Sequence, residues 1–292
     1  VSGQDAREAA LARTRAHVAP HRVDVWDAFG TQIVLGRREG YRMWDLDGHE
    51  LLDFHLNGGT FNLGHRNPDV IAALVGALDE VDIGNHHFAS ADRGLLAERL
   101  AATAPGLDHV VFASGGSEAI DIAIKSARHA TGRRRIVGLD AGYHGKTGLS
   151  GAAGADAGAR FFHSDLPADF ATVPFADLDA MEAAVAAAPT AAVIMETVPA
   201  TYGFPVVPEG YLAGVKAICE RHGALYIADE VQTGLGRTGP LWAIHGHGVE
   251  PDLLVSGKGL SGGVYPIAAV LLGDAASRWL HEYGWGHVST FG

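Results

Sequence analysis

The sequence predicts an α/β protein: a mostly parallel β-sheet covered by helices on both faces. Three observations predict it. The runs Val110–Ala113, Ile136–Leu139, Ala192–Met195, Ala224–Ala228, Leu253–Val255 and Ala268–Leu272 are apolar along their whole length, the pattern of strands buried on both faces. They alternate with helical stretches, as repeated strand–helix units do. The chain has 292 residues, 47% hydrophobic and 19% charged. That is enough for one large core, or one domain and part of another at about 150 residues each.

Taken in order, residues 4–18 are rich in Ala and Arg and read as an N-terminal helix. Short extended pieces follow at Thr31–Leu35, Arg42–Trp44 and Leu51–Phe54, separated by turns such as Asp47-Gly48. Asn67-Pro68 opens a helix to about Glu80, with proline in the first turn. Another covers about Asp92–Ala102. Between the later strands lie helices at about Ser117–Thr131, Leu178–Ala187 and Pro208–His222. The first carries Ile120, Ala123, Ile124 and Ala127 at i, i+3, i+4 and i+7, one buried face. Gly132 and Gly223 end the first and third. Gly151–Gly158 reads as a flexible surface loop. Ligands of such sheets bind at the carboxyl ends of the strands.

Lys and Arg total 22 and Asp and Glu 34, a formal net charge of −12. That balance argues against nucleic acid or an anionic membrane as the main partner. No uninterrupted apolar run approaches the ~18 residues of a membrane span. A lone cysteine, Cys219, excludes an intramolecular disulfide and a Cys-cluster zinc site. No basic segment followed by an apolar run opens the chain, so no secretory signal is read and cytoplasm is the expected location. The chain starts at Val1 and not at Met, so the reading allows for missing first residues.

Four patterns could carry chemistry. Val110 to Ala119 reads strand, glycine turn, helix, with Ser114-Gly115-Gly116-Ser117 at the turn. It fits an ordinary turn capped by Ser117, a phosphate site at a helix N-terminus, or a nucleophile elbow, since Gly115-x-Ser117-x-Ala119 is one residue from G-x-S-x-G. Gly234 to Gly239 matches G-x-G-x-x-G, but Asp229–Thr233 separates it from its strand and Pro240 follows at once, against a dinucleotide fingerprint. Gly257-Lys258-Gly259 is no P-loop, because Asp252 stands where the first glycine is needed. Sixteen histidines raise metal binding, yet His49-Glu50-Leu51-Leu52-Asp53 lacks the last ligand of H-E-x-x-H, and His86-His87 and His245-Gly246-His247 have no evident partners; no metal is expected. The fourth pattern decides. Asp229 ends an apolar strand, and Lys258 sits between two glycines just past the strand Leu253–Val255. A lysine buried there loses pKa and becomes a nucleophilic amine. Amine, carboxylate and phosphate-type turn together answer the needs of pyridoxal phosphate: a partner for its aldehyde, its ring nitrogen and its phosphate.

Leu225 to Gly239, with Asp229-Glu230-Val231-Gln232-Thr233-Gly234, resembles the signature of the class III, fold type I pyridoxal-phosphate aminotransferases. So does Pro251-Asp252 leading through Lys258-Gly259-Leu260-Ser261-Gly262-Gly263 to Pro266. Phe112–Ala119, Tyr143-His144-Gly145, Leu63-Gly64-His65 and His287–Gly292 agree in order and approximate spacing. The resemblance runs from about Tyr41 to Gly292, and Gly59–Pro68 is similar to the ω-amine and ornithine branches.

The resemblance implies a fold type I large domain over 56–292. Residues 1–55, the N-terminal helix and short strands, would be part of a small domain. Lys258 holds the cofactor through a Schiff base and moves the substrate proton; Asp229 pairs with the pyridine nitrogen. Gly116 and Ser117 cradle the phosphate, with Gly115 where relatives often have Ser. Tyr143 stacks on one ring face beside His144, Val231 packs on the other, and Gln232 bonds the ring hydroxyl. Glu196 is the pocket carboxylate. Thr290 reaches the phosphate of the neighbouring subunit, so a homodimer with shared sites is expected. The implied reaction is ping-pong transfer of an amino group from an amine or an α- or ω-amino acid to a 2-oxo acid. Aminomutase, racemase or decarboxylase chemistry on the same cofactor is the alternative; a serine hydrolase using Ser117 with His281 or His287 is a remote one. Two departures stand out. Thr197 to Gly203 replaces the family's Pro and Gln-Gly-Glu-Gly-like turn after the carboxylate. Relatives also continue past the Thr290 motif into a C-terminal small domain that commonly supplies a substrate-gripping arginine, so the chain is expected to be a fragment.

Overall fold

The computed structural model describes residues 3–82, 84, 87–154 and 157–291. Two helices open the chain, α1 (Gly3–His17) and α2 (Pro20–Ala28), followed by strands β1 (Leu35–Glu39), β2 (Arg42–Asp45) and β3 (Glu50–Leu52). These strands form an antiparallel three-stranded sheet. A one-turn segment α3 (Leu56–Gly59) leads to α4 (Pro68–Leu78) and α5 (Ala91–Ala101). Strands and helices then alternate: β4 (His109–Ala113), α6 (Gly116–Thr131), β5 (Arg135–Leu139), α7 (Gly148–Ala153), α8 (Ala157–Phe161), β6 (Phe170–Val173), α9 (Leu178–Ala186) and β7 (Thr190–Glu196). Next come α10 (Tyr211–His222), β8 (Leu225–Asp229), β9 (Leu253–Ser256), β10 (Ala268–Leu272), α11 (Asp274–Ser277) and α12 (Trp279–Glu282).

Seven strands form one sheet in the order β4-β10-β9-β8-β7-β5-β6. Only β10 runs against its two neighbours; the other pairings are parallel. The alternation of side chains along each strand feeds two cores. Val193, Met195, Tyr226 and Ala228 point to the face packed by α9 and α10, with Leu212, Val215 and Ile218. Ala192, Ile194, Ile227 and Val255 point to the opposite face, against Ile120, Ala123, Ile124 and Ala127 of α6. Those four α6 residues are fully buried, as their spacing predicts.

Two expectations are corrected. Thr31–Leu35 is not a strand, because pairing with β2 begins only at Leu35. Gly151–Gly158 is not a surface loop. Residues 151–153 belong to α7 and are buried against the sheet, while residues 155 and 156 lie outside the described chain. Gly138 and Gly154 make that approach possible: a Cβ on either would lie under 3 Å from the backbone carbonyls of Ala153 and Gly142 respectively.

Candidate active site

The carboxyl ends of β4, β5, β7, β8 and β9 lie at one edge of the sheet, and a cleft of about 160 Å³ opens there. Gly116 and Ser117, Tyr143, His144 and Gly145, Glu196, Asp229, Val231, Gln232 and Lys258 line it. They stand at the carboxyl ends of five strands, β4, β5, β7, β8 and β9, so residues far apart in sequence converge because those strands are parallel.

One wall is the first turn of α6. The N–H groups of a helix's first turn have no intrahelical acceptor, and with the helix dipole they favour an anion. Val231 packs onto this turn: a Cβ on Gly116 would lie 3.0 Å from its Cγ1. Gly145 packs still closer. Its φ is +121°, and a Cβ there would lie 2.1 Å from Ser117 Oγ. Only glycine leaves that hydroxyl its place.

The opposite wall carries the carboxylates. Asp229 is 4% exposed. Its Oδ1 accepts from Val231 N at 3.0 Å, and its Oδ2 from Nδ1 of buried His144 at 2.7 Å. Glu196 Oε1 accepts from Tyr143 N at 2.9 Å and Oε2 from Ala200 N at 3.2 Å. Burial, then the neighbouring Asp229, pushes the Glu196 carboxyl above its ordinary range, while His144 and the two N–H groups oppose the rise. The departing loop after Glu196 is tied down by side chains: Thr201 donates to Ala141 O, and Tyr202 donates to Asp140.

Lys258 closes the cleft with a left-handed backbone, φ +39°. Its Nζ donates to Gln232 Oε1 at 3.0 Å. Burial lowers the amine's pKa below its ordinary value, and Asp229 and Glu196 pull it partly back.

Nine of the eleven residues singled out from the sequence therefore share one cleft. Gly115 caps α6 with extended backbone and does not line the cleft; Thr290 is exposed elsewhere. Gly145 and Gly58, which faces Lys258 from α3, were not singled out. Gly145 had a signal, its place in Tyr143-His144-Gly145; Gly58 had none beyond two adjacent glycines.

The hydrolase arrangement does not assemble. His281 packs on His109, His287 lies between Lys125 and Glu118, and Ser117 Oγ accepts from Lys146 N at 3.4 Å. Of the metal candidates, His49 groups with Asp45 and Asp47, where His49 bonds Asp45 and Arg7 pairs with Asp47. His86 lies outside the described residues.

The cleft fits pyridoxal phosphate. A helix terminus would suit the phosphate, the buried carboxylate of Asp229 would suit the ring nitrogen, and the amine of Lys258, its pKa lowered by burial, would suit the aldehyde. Such a donor set at the carboxyl ends of such a sheet is the arrangement a phosphate-bearing cofactor calls for in an α/β fold. The chain belongs to the class-III aminotransferases, a pyridoxal-phosphate-dependent family whose pattern it matches over residues 26–292. It is 50% identical over 277 residues to an uncharacterized aminotransferase of Archaeoglobus fulgidus, covering 94% of this chain and 65% of that one. A putrescine aminotransferase of Pectobacterium atrosepticum is 39% identical over 258 residues, 85% of this chain and 55% of that one. The chain thus spans about three-fifths of these relatives' length. The solved ornithine aminotransferase of Toxoplasma gondii superposes with a TM-score of 0.84 at 29% identity, covering 98% of this chain and 68% of that one. The taurine:2-oxoglutarate aminotransferase of Bifidobacterium kashiwanohense, solved with PLP and glutamate, gives 0.82 at 27% identity, covering 88% and 64%.

Proposed function

We propose that this chain forms the cofactor-binding part of an aminotransferase that moves an amino group from an amine or an α- or ω-amino acid to a 2-oxo acid. The observation that carries the reading is the convergence of Lys258, Asp229 and the Gly116–Ser117 helix terminus on one cleft. Bound pyridoxal phosphate supplies an electron sink for the charge left when the substrate carbon loses its proton. Gly116 and Ser117 hold the phosphate. Asp229, with His144 behind it, keeps the proton on the ring nitrogen. Val231 and Tyr143 pack on the two ring faces, and Glu196 fixes Tyr143 through its backbone N–H. Gln232 bonds the ring hydroxyl. Lys258 carries the cofactor covalently and moves the proton at the substrate carbon, a task its lowered pKa favours. Thr290 serves the phosphate of a neighbouring subunit in a homodimer. Residues 1–55 belong to a small domain and 56–292 to the large one, in a cytoplasmic protein; no helix among the described residues is long and apolar enough to cross a membrane. The named relatives act on putrescine, ornithine and taurine, which favours a donor with a terminal amine.

The test is borohydride reduction of the full-length protein loaded with pyridoxal phosphate, followed by peptide mapping. The adduct is expected on Lys258, with keto-acid product when an amino donor and 2-oxoglutarate or pyruvate are supplied. Lys258→Ala is expected to lose the adduct and at least about a thousandfold in turnover. Full turnover in that variant would sink the reading; rearranged or decarboxylated product would leave the cofactor and change the reaction.

A further inference from the structure

Segment α3 lies over the reactive end of the cleft. All four of its residues hold positive φ: Leu56 at 50°, Asn57 at 49°, Gly58 at 66° and Gly59 at 94°. Gly58 faces the lysine. A Cβ there would lie 3.2 Å from Lys258 Cε and 3.4 Å from Gln232 Oε1. A buried pair pins this turn. Asp53 Oδ1 accepts from His55 N at 2.9 Å and Leu56 N at 2.7 Å, and its Oδ2 accepts from His65 Nε2 at 2.7 Å. The two side chains are 7% and 2% exposed. Backbone bonds run both ways between His65 and Gly40, and Asp53 N donates to Tyr41 O at 2.9 Å. The small sheet, the pair, the turn and the lysine form one run of contacts.

We propose that Asp53 and His65 are a positioning pair for Lys258: by holding α3 in its left-handed form they press a ceiling free of side chains onto the lysine stem and keep its amine at Gln232. The proposal rests on the reading of Lys258 as the cofactor lysine. Neither residue lines the cleft. A free lysine stem samples many rotamers, whereas a confined one presents its amine from one place, and small misplacements of a reacting group are costly in rate. The charged groups that face the amine are Asp229 and Glu196, with His144 behind Asp229. Breaking the pair lets the turn relax and water reach the amine. The effect of burial then fades, so the amine's pKa climbs back toward its ordinary value.

The test is competitive acetylation of the full-length, cofactor-free protein with acetic anhydride across a pH series, read by peptide mass spectrometry. Lys125 and Lys216 serve as internal standards. In His65→Ala the Lys258 midpoint is expected to move up while the standards stay. His65→Gln, whose amide can still donate to Asp53, is expected to restore it. Attachment of pyridoxal phosphate to Lys258, trapped with borohydride, is expected to slow about tenfold in His65→Ala and in Gly58→Ala, whose added methyl presses on the stem. A folded His65→Ala protein with an unmoved Lys258 midpoint overturns the proposal. Should His65→Ala fail to fold, Gly58→Ala decides: attachment at the wild-type rate overturns it. If the wild-type protein attaches no cofactor at Lys258, the functional reading falls, while the acetylation profiles still decide whether the pair positions the amine.

Discussion

Glu230 follows Asp229 directly, yet the two carboxylates do different work. Asp229 opens onto the cleft. Glu230 is 1% exposed and turns the other way. It accepts from the hydroxyls of Thr197 and Thr233 and from the backbone N–H groups of Ala243 at 3.0 Å and Ile244 at 2.8 Å. Burial pushes its carboxyl above the ordinary range, and those four donors offset part of the rise. The residue thus braces the loop after β7, the turn after β8 and the start of the Ala243–His247 turn. Removing it leaves four buried donors without an acceptor. Glu230→Ala is expected to cost about 3 kcal/mol or more, seen as a lower urea midpoint. A change within ~0.5 kcal/mol would mean that water or neighbouring groups replace the carboxylate. The motif containing Glu230 was legible in the sequence, but its direction was not. Adjacent strand-end residues point to opposite sides, and only the fold shows which side is cleft and which is core.

At the scale of elements, the whole-apolar strands and the buried stripe of α6 were legible because each is a local pattern. The glycines that set close approach were not, because their reason lies in a distant element. Segment α7 reads as a loop by composition, yet its small residues are what lets it lie against the sheet. Likewise α3 holds Leu56 and Asn57 in left-handed backbone at roughly 1 kcal/mol each, a local cost offset by the N–H groups of His55 and Leu56 donating to Asp53 and by the turn's own bonds, Thr60 Oγ1 to Asn57 O and Phe61 N to Leu56 O. Strand β6 was missed; Phe170–Val173 is short and forms the sheet edge. Gly145 gives the sharpest test at this scale. In Gly145→Ala the new methyl cannot coexist with Ser117 Oγ at 2.1 Å, so either the hydroxyl leaves the phosphate end or the loop after β5 shifts. Pyridoxal phosphate affinity is expected to fall about tenfold or more, the worth of one good charge-assisted hydrogen bond, in an equilibrium titration. Melting is expected to fall as well, because Gly145 is buried and a methyl at its positive φ strains the backbone, so the titration is read at a temperature where the variant is folded. Unchanged affinity would remove Ser117 from the phosphate site.

For the whole molecule, the question is whether one chain can complete its own site. Thr290 is exposed and absent from the cleft lining. Large apolar side chains also stand exposed, among them Phe54 at 90% and Phe88 at 79%, more than isolated surface residues require. Both observations favour the homodimer proposed above, in which each cleft takes its last phosphate contact from the other subunit. A mixing experiment separates this from a self-sufficient chain. Lys258→Ala chains lack the reactive amine but carry an intact Thr290; Thr290→Ala chains have the reverse. In a mixed dimer, the site built around the intact Lys258 receives the intact Thr290, and the other site carries both defects. Unfolding and refolding the two variants together, full-length and in equal amounts, makes about half the dimers mixed by random pairing, each with one restored site. At cofactor concentrations where each variant alone binds weakly, the mixture is expected to regain about a quarter of the wild-type borohydride-stable adduct. A mixture that performs as the plain average of its parents would place Thr290 in its own chain's site, or in none.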